Sequence, residues 1–202
     1  MAKNKPTLIV IAGPNGSGKT TVTTQILKHE WVEGCLYINP DNIAQEEFGD
    51  WNAPEAVLKA AKLATERREN CLKQQQNFIF ETVFSASDKV DFLKRAQEAG
   101  FFIRLFFVGT NHPAINASRI AHRVMEGGHD VPIAKIVNRY YKSIANCQLA
   151  ASFVDRLYVY DNSIDYAPTQ LLFRGTEGKT EKIYTGNVND WALSILNSLE
   201  GV

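Results

Sequence analysis

The chain has 202 residues, with Lys plus Arg and Asp plus Glu both at 22, so its formal net charge is zero. That balance argues against a protein that coats nucleic acid or an anionic membrane, and neither is an expected partner. The length suits a single domain over residues 1–202 with a buried core. Cys35, Cys71 and Cys147 are odd in number and show no C-x-x-C spacing. Neither a disulfide framework nor a zinc site is indicated, and a reducing cytoplasm is the expected location.

Residues 1–6 followed by an apolar run imitate a secretory signal, but the run is too short for one. No segment approaches the roughly 20 apolar residues needed to span a bilayer. The run reads instead as a first core strand, Thr7–Ala12, leading into Gly13-Pro14-Asn15-Gly16-Ser17-Gly18-Lys19-Thr20. This stretch satisfies G-x-x-x-x-G-K-[ST] at every required position. A helix is expected over Thr21–Lys28, with Val22, Ile26 and Leu27 on one face. Glycines let backbone N–H groups converge without Cβ clashes, and a helix N-terminus adds about half a positive charge. Gly13 to Thr21 are therefore expected to cradle ATP, with Lys19 reaching the terminal phosphates and Thr20 ligating Mg²⁺.

Leu36–Ile38 is a short second strand ending at Asn39-Pro40-Asp41. A long helix follows from Ala53 to Gln75, with Val57, Ala60, Ala61, Ala64, Cys71 and Leu72 as inward positions. Phe78–Phe80 is a third strand running into Glu81-Thr82-Val83-Phe84, and the next helix is opened by Ser85 or Ser87 and closed by Gly100. Phe101–Val108 reads as a central parallel strand buried on both faces. Arg104 interrupts it and has no partner assignable from sequence. Helices over Pro113–Met125 and Pro132–Ala150 flank Glu126-Gly127-Gly128-His129-Asp130-Val131. Leu157–Tyr160 is a fifth strand ending at Asp161. Gln170–Arg174 and Glu181–Thr185 read as a β-hairpin, and Trp191–Leu199 as a closing helix. The alternation predicts an α/β three-layer sandwich around a mostly parallel five-stranded sheet, with the hairpin and last helix appended.

In an open parallel sheet the ligand crevice lies beyond the carboxyl ends of the strands. Three acidic residues stand there: Asp41, Glu81 and Asp161. Each suits a Mg²⁺ partner, a general base or a strand-ending turn. Glu is a poor turn former, which favours function for Glu81, and helix capping after Pro40 competes for Asp41. Arg119 and Arg123 are i,i+4 neighbours on one helical face, and Arg139 lies on the next helix across a glycine joint. Phosphoryl transfer needs cations that close over the transferring group. Residues of about 113–140 therefore read as a helical lid, with a solvated basic face as the bland alternative.

Taken in order, the glycine loop, Asn39-Pro40-Asp41-Asn42-Ile43, Phe80-Glu81-Thr82, Arg119-x-x-x-Arg123-Val124, Gly127-Gly128-His129-Asp130-Val131-Pro132, Arg139-Tyr140 and Asp161-Asn162-Ser163 resemble the zeta-toxin-like P-loop kinases. The likeness is to their short stand-alone branch, often labelled predicted ABC-type ATPases, and covers roughly residues 7 to 165. It implies a nucleoside-monophosphate-kinase-like core, ATP and Mg²⁺ as cofactors, and an antitoxin protein as a partner class. Better-studied members phosphorylate the 3′-hydroxyl of UDP-N-acetylglucosamine. Carried onto matching positions, Asp41 is the candidate general base for a small-molecule acceptor hydroxyl. Glu81, Thr82 and Arg139 would contact that acceptor, and Arg119 or Arg123 would clamp the phosphates.

Rival readings remain at this stage. A kinase of a nucleotide or an antibiotic would use the same motifs. An ABC transport ATPase shares the loop wording but needs a Leu-Ser-Gly-Gly-Gln-like signature, which does not occur. A GTPase switch is weakened because a guanine-reading Asn-Lys-x-Asp is absent. A non-catalytic ATP-binding module survives.

Overall fold

The computed structural model describes residues 5–49, 53–128 and 130–200. Strands β1 (Thr7–Ala12), β2 (Leu36–Ile38), β3 (Phe78–Thr82), β4 (Phe102–Gly109), β5 (Arg156–Asp161), β6 (Gln170–Thr176) and β7 (Lys179–Ile183) form one sheet in the order β2-β3-β1-β4-β5-β6-β7. The first five are mutually parallel. β6 and β7 run antiparallel to their neighbours. The sheet therefore has seven strands, not five with a separate hairpin. Left unpaired, β5 would expose a row of backbone donors and acceptors; β6 covers that edge and buries Leu172 and Phe173 completely.

Period-two alternation sorts the sheet's side chains between two faces. Leu8, Val10, Phe78, Phe80, Leu105, Phe107 and Val159 join the larger core. That core also takes residues from α3 (Pro54–Gln74), α4 (Ser87–Glu98), α6 (Ile133–Ala151) and α7 (Asp190–Leu196). Ile9, Ile11, Ile79, Phe106, Val108 and Tyr158 face the other way, toward α1 (Lys19–Ile26). Because α1 is only eight residues long, that second layer is thin. Arg104 completes it: its guanidinium lies 4.4 Å from the Trp31 ring centroid and 4.9 Å from that of Phe102, and Nη1 donates to the Tyr158 hydroxyl at 3.2 Å. A flat cation stacked on aromatics can leave water without a carboxylate partner.

Several details depart from the sequence reading. In α1, Thr23 is buried and Leu27 is exposed, because the helix begins at Lys19 and packs a shifted face. In α3, Ala61 is exposed while Ala56 and Arg68 are buried; Arg68 lies over the Phe80 ring at 5.2 Å. Neither Ser85 nor Ser87 caps α4, whose N-cap residue is Ala86 with no side-chain bond.

Candidate active site

Local sequence sets the phosphate loop, and neighbouring strands hold it. Gly13 has φ +149°, and a Cβ there would stand 2.2 Å from the Val108 carbonyl oxygen; Gly16 has φ +73°, and its Cβ would stand 2.6 Å from the Asn116 carbonyl oxygen. Both positions combine a backbone region that disfavours side chains with contact too close for one. No side chain caps α1 and no acidic residue occupies its first turn, which suits an anion at that terminus.

Two asparagines to which the sequence assigns no role pin the loop from outside. Asn116, wholly buried on α5 (Pro113–Met125), donates from Nδ2 to the Asn15 carbonyl at 2.6 Å. It also accepts from the Thr110 hydroxyl at 2.5 Å. Asn162 donates from Nδ2 to the Ser17 carbonyl at 2.8 Å. The signal available for Asn116 was a polar residue at an inward helix position, since buried amides are held by hydrogen bonds.

Lys19 points back into the loop, donating to the carbonyls of Gly13 at 2.9 Å and Pro14 at 3.1 Å. Burial pushes its ammonium down to about 8. The charges acting on it are those of Glu81, Arg123, Asp41 and Arg139. The fold thus brings together residues from five elements, spread over 120 positions of sequence. Arg139 on α6 reaches further, donating from Nη1 to the Asn15 side chain at 3.0 Å. Arg119 takes a different place. Its Nε and Nη2 meet the Asp165 carboxylate at 2.7 and 2.6 Å, and Nη1 donates to the Gly16 carbonyl at 3.3 Å.

The acidic side is organised by the end of β2. The Tyr37 hydroxyl donates to Glu81 Oε1 at 2.6 Å, and Asn39 Nδ2 donates to that hydroxyl at 2.9 Å. Burial, then the nearby carboxylates, raises the Tyr37 phenol well above its ordinary range, so it stays a donor. Asn39, not Asp41, caps α2 (Pro40–Phe48): its side chain accepts from the Asp41 N–H at 2.8 Å. The Asp41 side chain is thereby released from capping and is exposed. Thr82 accepts from the Phe84 N–H at 3.1 Å. Phe84 holds φ +62° while buried, a strained backbone tied down by Asn146 Nδ2 on its carbonyl at 2.9 Å.

Asp161 lies outside this group. It accepts from Trp191 Nε1 at 3.2 Å and the Ser163 hydroxyl at 2.6 Å, the turn reading of that residue. In the glycine joint, Gly128 lies so close to Arg123 that a Cβ would meet its Cγ at 2.7 Å; His129 lies outside the described residues. Among the described residues no helix is long and apolar enough to cross a membrane.

A phosphate loop on the central strand of a 2-3-1-4-5 parallel sheet, facing acidic strand ends and helical arginines, is the architecture of the P-loop kinases. The Zeta toxin family model matches residues 1–167, and the chain belongs to that family. An uncharacterized protein of Haemophilus influenzae is 31% identical over 132 residues, 65% of this chain and 91% of its own length. The AvrRxo1-ORF1:AvrRxo1-ORF2 complex with sulphate ions contains a chain of similar fold, at TM-score 0.64 and 19% identity. That match takes in 88% of this chain and 60% of the other, so this chain spans less than two thirds of that relative. The PezAT chromosomal toxin–antitoxin system of Streptococcus pneumoniae gives TM-score 0.60 at 14% identity, over 98% and 80% of the two chains.

Proposed function

We propose that this chain is an ATP-dependent kinase that transfers the γ-phosphoryl group to a hydroxyl of a small molecule. The observation that carries this reading is the setting of Lys19 in the phosphate loop, where it feels the charges of Glu81 on β3, Asp41 in the first turn of α2, Arg123 on α5 and Arg139 on α6, with Arg139 also donating to the Asn15 side chain at 3.0 Å. A binding module needs only the loop; phosphoryl transfer needs an acid–base group and mobile cations as well. Asp41 would orient the acceptor hydroxyl and take its proton as the oxygen attacks γ-phosphorus and ADP leaves. Arg123 and Arg139 would balance charge on the equatorial oxygens, with Arg119 held at the loop by the Gly16 carbonyl. Glu81, held by Tyr37, and Thr82 would position the acceptor.

The loop fits ATP with Mg²⁺: the Ser17 hydroxyl is buried with no protein partner among the described residues, and a cradle of glycines surrounds it. Thr20 would hold Mg²⁺, which neutralises phosphate charge when bound. Helices spanning about 113–140 would act as the lid, within one domain over residues 1–202. A sugar nucleotide such as UDP-N-acetylglucosamine is the acceptor we propose from family membership. An antitoxin partner is proposed by analogy with PezAT, and the cytoplasm as location from the need for ATP.

A thermal-shift screen of sugar nucleotides, nucleosides and aminoglycosides, with a non-hydrolysable ATP analogue present, tests the acceptor. A ligand at a hundred times its Kd stabilises the fold by about 2.7 kcal/mol. Acceptor-dependent ADP release with the hit completes the case. ATP binding without ADP release for any acceptor would leave only a binding module.

A further inference from the structure

A cleft of about 530 Å³ opens from Gly18 and Thr21, beside the phosphate loop. A nucleotide whose phosphates lay in Gly13–Thr20 would have this cleft open to its sugar and base. Its walls include Arg119, Asn162, Ile164, Asp165 and Pro168. Asp165 is the carboxylate among these lining residues. It lies three positions after Asn162, whose amide is fixed on the Ser17 carbonyl at 2.8 Å. The loop after β5 is therefore anchored to the phosphate loop, with a carboxylate one short turn of chain beyond the anchor. Asn162-Ser163-Ile164-Asp165 keeps the outer residues of a guanine-reading Asn-Lys-x-Asp. Ser163 replaces the lysine, and its hydroxyl is engaged with Asp161 and the Asn111 N–H. The cation at the cleft comes instead from another element, as Arg119 on α5.

We propose that this cleft accepts guanine nucleotides as well as ATP, and that Asp165 recognises the guanine edge. The inference rests on the reading that the loop binds nucleoside triphosphates and adds the choice of base. A carboxylate offers two acceptors side by side. Guanine presents two donors side by side, N1–H and the N2 amine, and pairs with both. Adenine presents the N6 amine next to the N1 lone pair, so one carboxylate oxygen gains a donor and the other faces repulsion. Asp165 is paired with Arg119. The Asp165 side chain is 61% accessible, so solvent screens the pair and a base edge can reach the carboxylate from the cleft.

The test is equilibrium binding of fluorescent ADP, GDP and xanthosine diphosphate to the full chain and to Asp165→Asn. The wild type should bind GDP within about tenfold of ADP. Asparagine offers one acceptor and one donor, which complements xanthine N1–H and C2=O. Asp165→Asn should therefore lower the GDP-to-ADP preference at least tenfold and raise the xanthosine-to-ADP preference by a similar factor. A gain for xanthine cannot arise from damage to the fold. GDP more than a hundredfold weaker than ADP in the wild type, or a variant that shifts all three affinities together, overturns the proposal. Failure of every nucleotide to bind the wild type would instead overturn the reading of the loop.

Discussion

Lys19→Met should make the empty protein more stable while removing its affinity for nucleotide. The ammonium is held at about 8 against an ordinary 10.5, mainly by burial. A displacement of that size corresponds to roughly 3 kcal/mol of cost to the folded state when the group is charged. Methionine removes that cost and keeps the stem volume, but it leaves the carbonyls of Gly13 and Pro14 without their donor. Those lost bonds offset about 1 kcal/mol each. The net is a stabilisation of about 1–2 kcal/mol near pH 7, or about 2–8 °C in Tm for a chain of this size. The folded pKa lies below the unfolded one, so the unfolded state binds more protons between about 8 and 10.5. Wild-type stability therefore rises with pH across that window. The advantage of Lys19→Met should be full below about pH 8 and shrink as pH climbs toward 10.5. Paired thermal melts of both proteins from pH 6 to 10.5, with and without an ATP analogue, measure all of this. Nucleotide should raise only the wild-type Tm. A wild type more stable than Lys19→Met at pH 7 without nucleotide, or a difference that ignores pH, would refute the reasoning.

Three further substitutions separate the parts of the site. Asp41→Asn should keep ADP affinity yet lose acceptor phosphorylation by at least about a hundredfold, the lower range for a general base; full turnover would remove Asp41 from that role. Tyr37→Phe deletes the donor to Glu81 and should raise acceptor KM about tenfold, in line with a hydrogen bond to a charged group. Steady-state kinetics with ATP and acceptor varied separately would expose any equal effect on ATP KM, which the geometry does not allow. Asn116→Ala strips the Asn15 carbonyl of a buried partner and should cost about 2 kcal/mol, a Tm loss of about 4–8 °C. Calorimetric titration should show weaker ADP binding as well. Unchanged ADP binding would mean that the loop holds its shape without the asparagine.

Much of the design was legible from residue order because its causes are local. The phosphate loop depends on glycines, a lysine and the strand and helix on either side, all within about twenty residues; the strand fell where expected and the helix began two residues earlier. The starts of β2 and α5, and the strand-end positions of Asp41 and Glu81, followed from hydrophobic period and proline placement in the same way. Other features depended on contacts between distant segments. The seventh-strand count hangs on β6 choosing the open edge of β5. That Asn39 rather than Asp41 caps α2, that Tyr37 holds Glu81, and that Arg104 stacks on Trp31 each needed two side chains to meet in space. The clearest division is among the arginines. Sequence placed Arg119 and Arg123 one helical turn apart and could treat them as interchangeable, because spacing reports a shared face and nothing about what that face meets. Only the tertiary structure set Arg119 against Asp165 and Gly16, and brought the charges of Arg123 and Arg139 to bear on Lys19. Electrostatic partners are chosen by packing of whole helices, which no local pattern encodes.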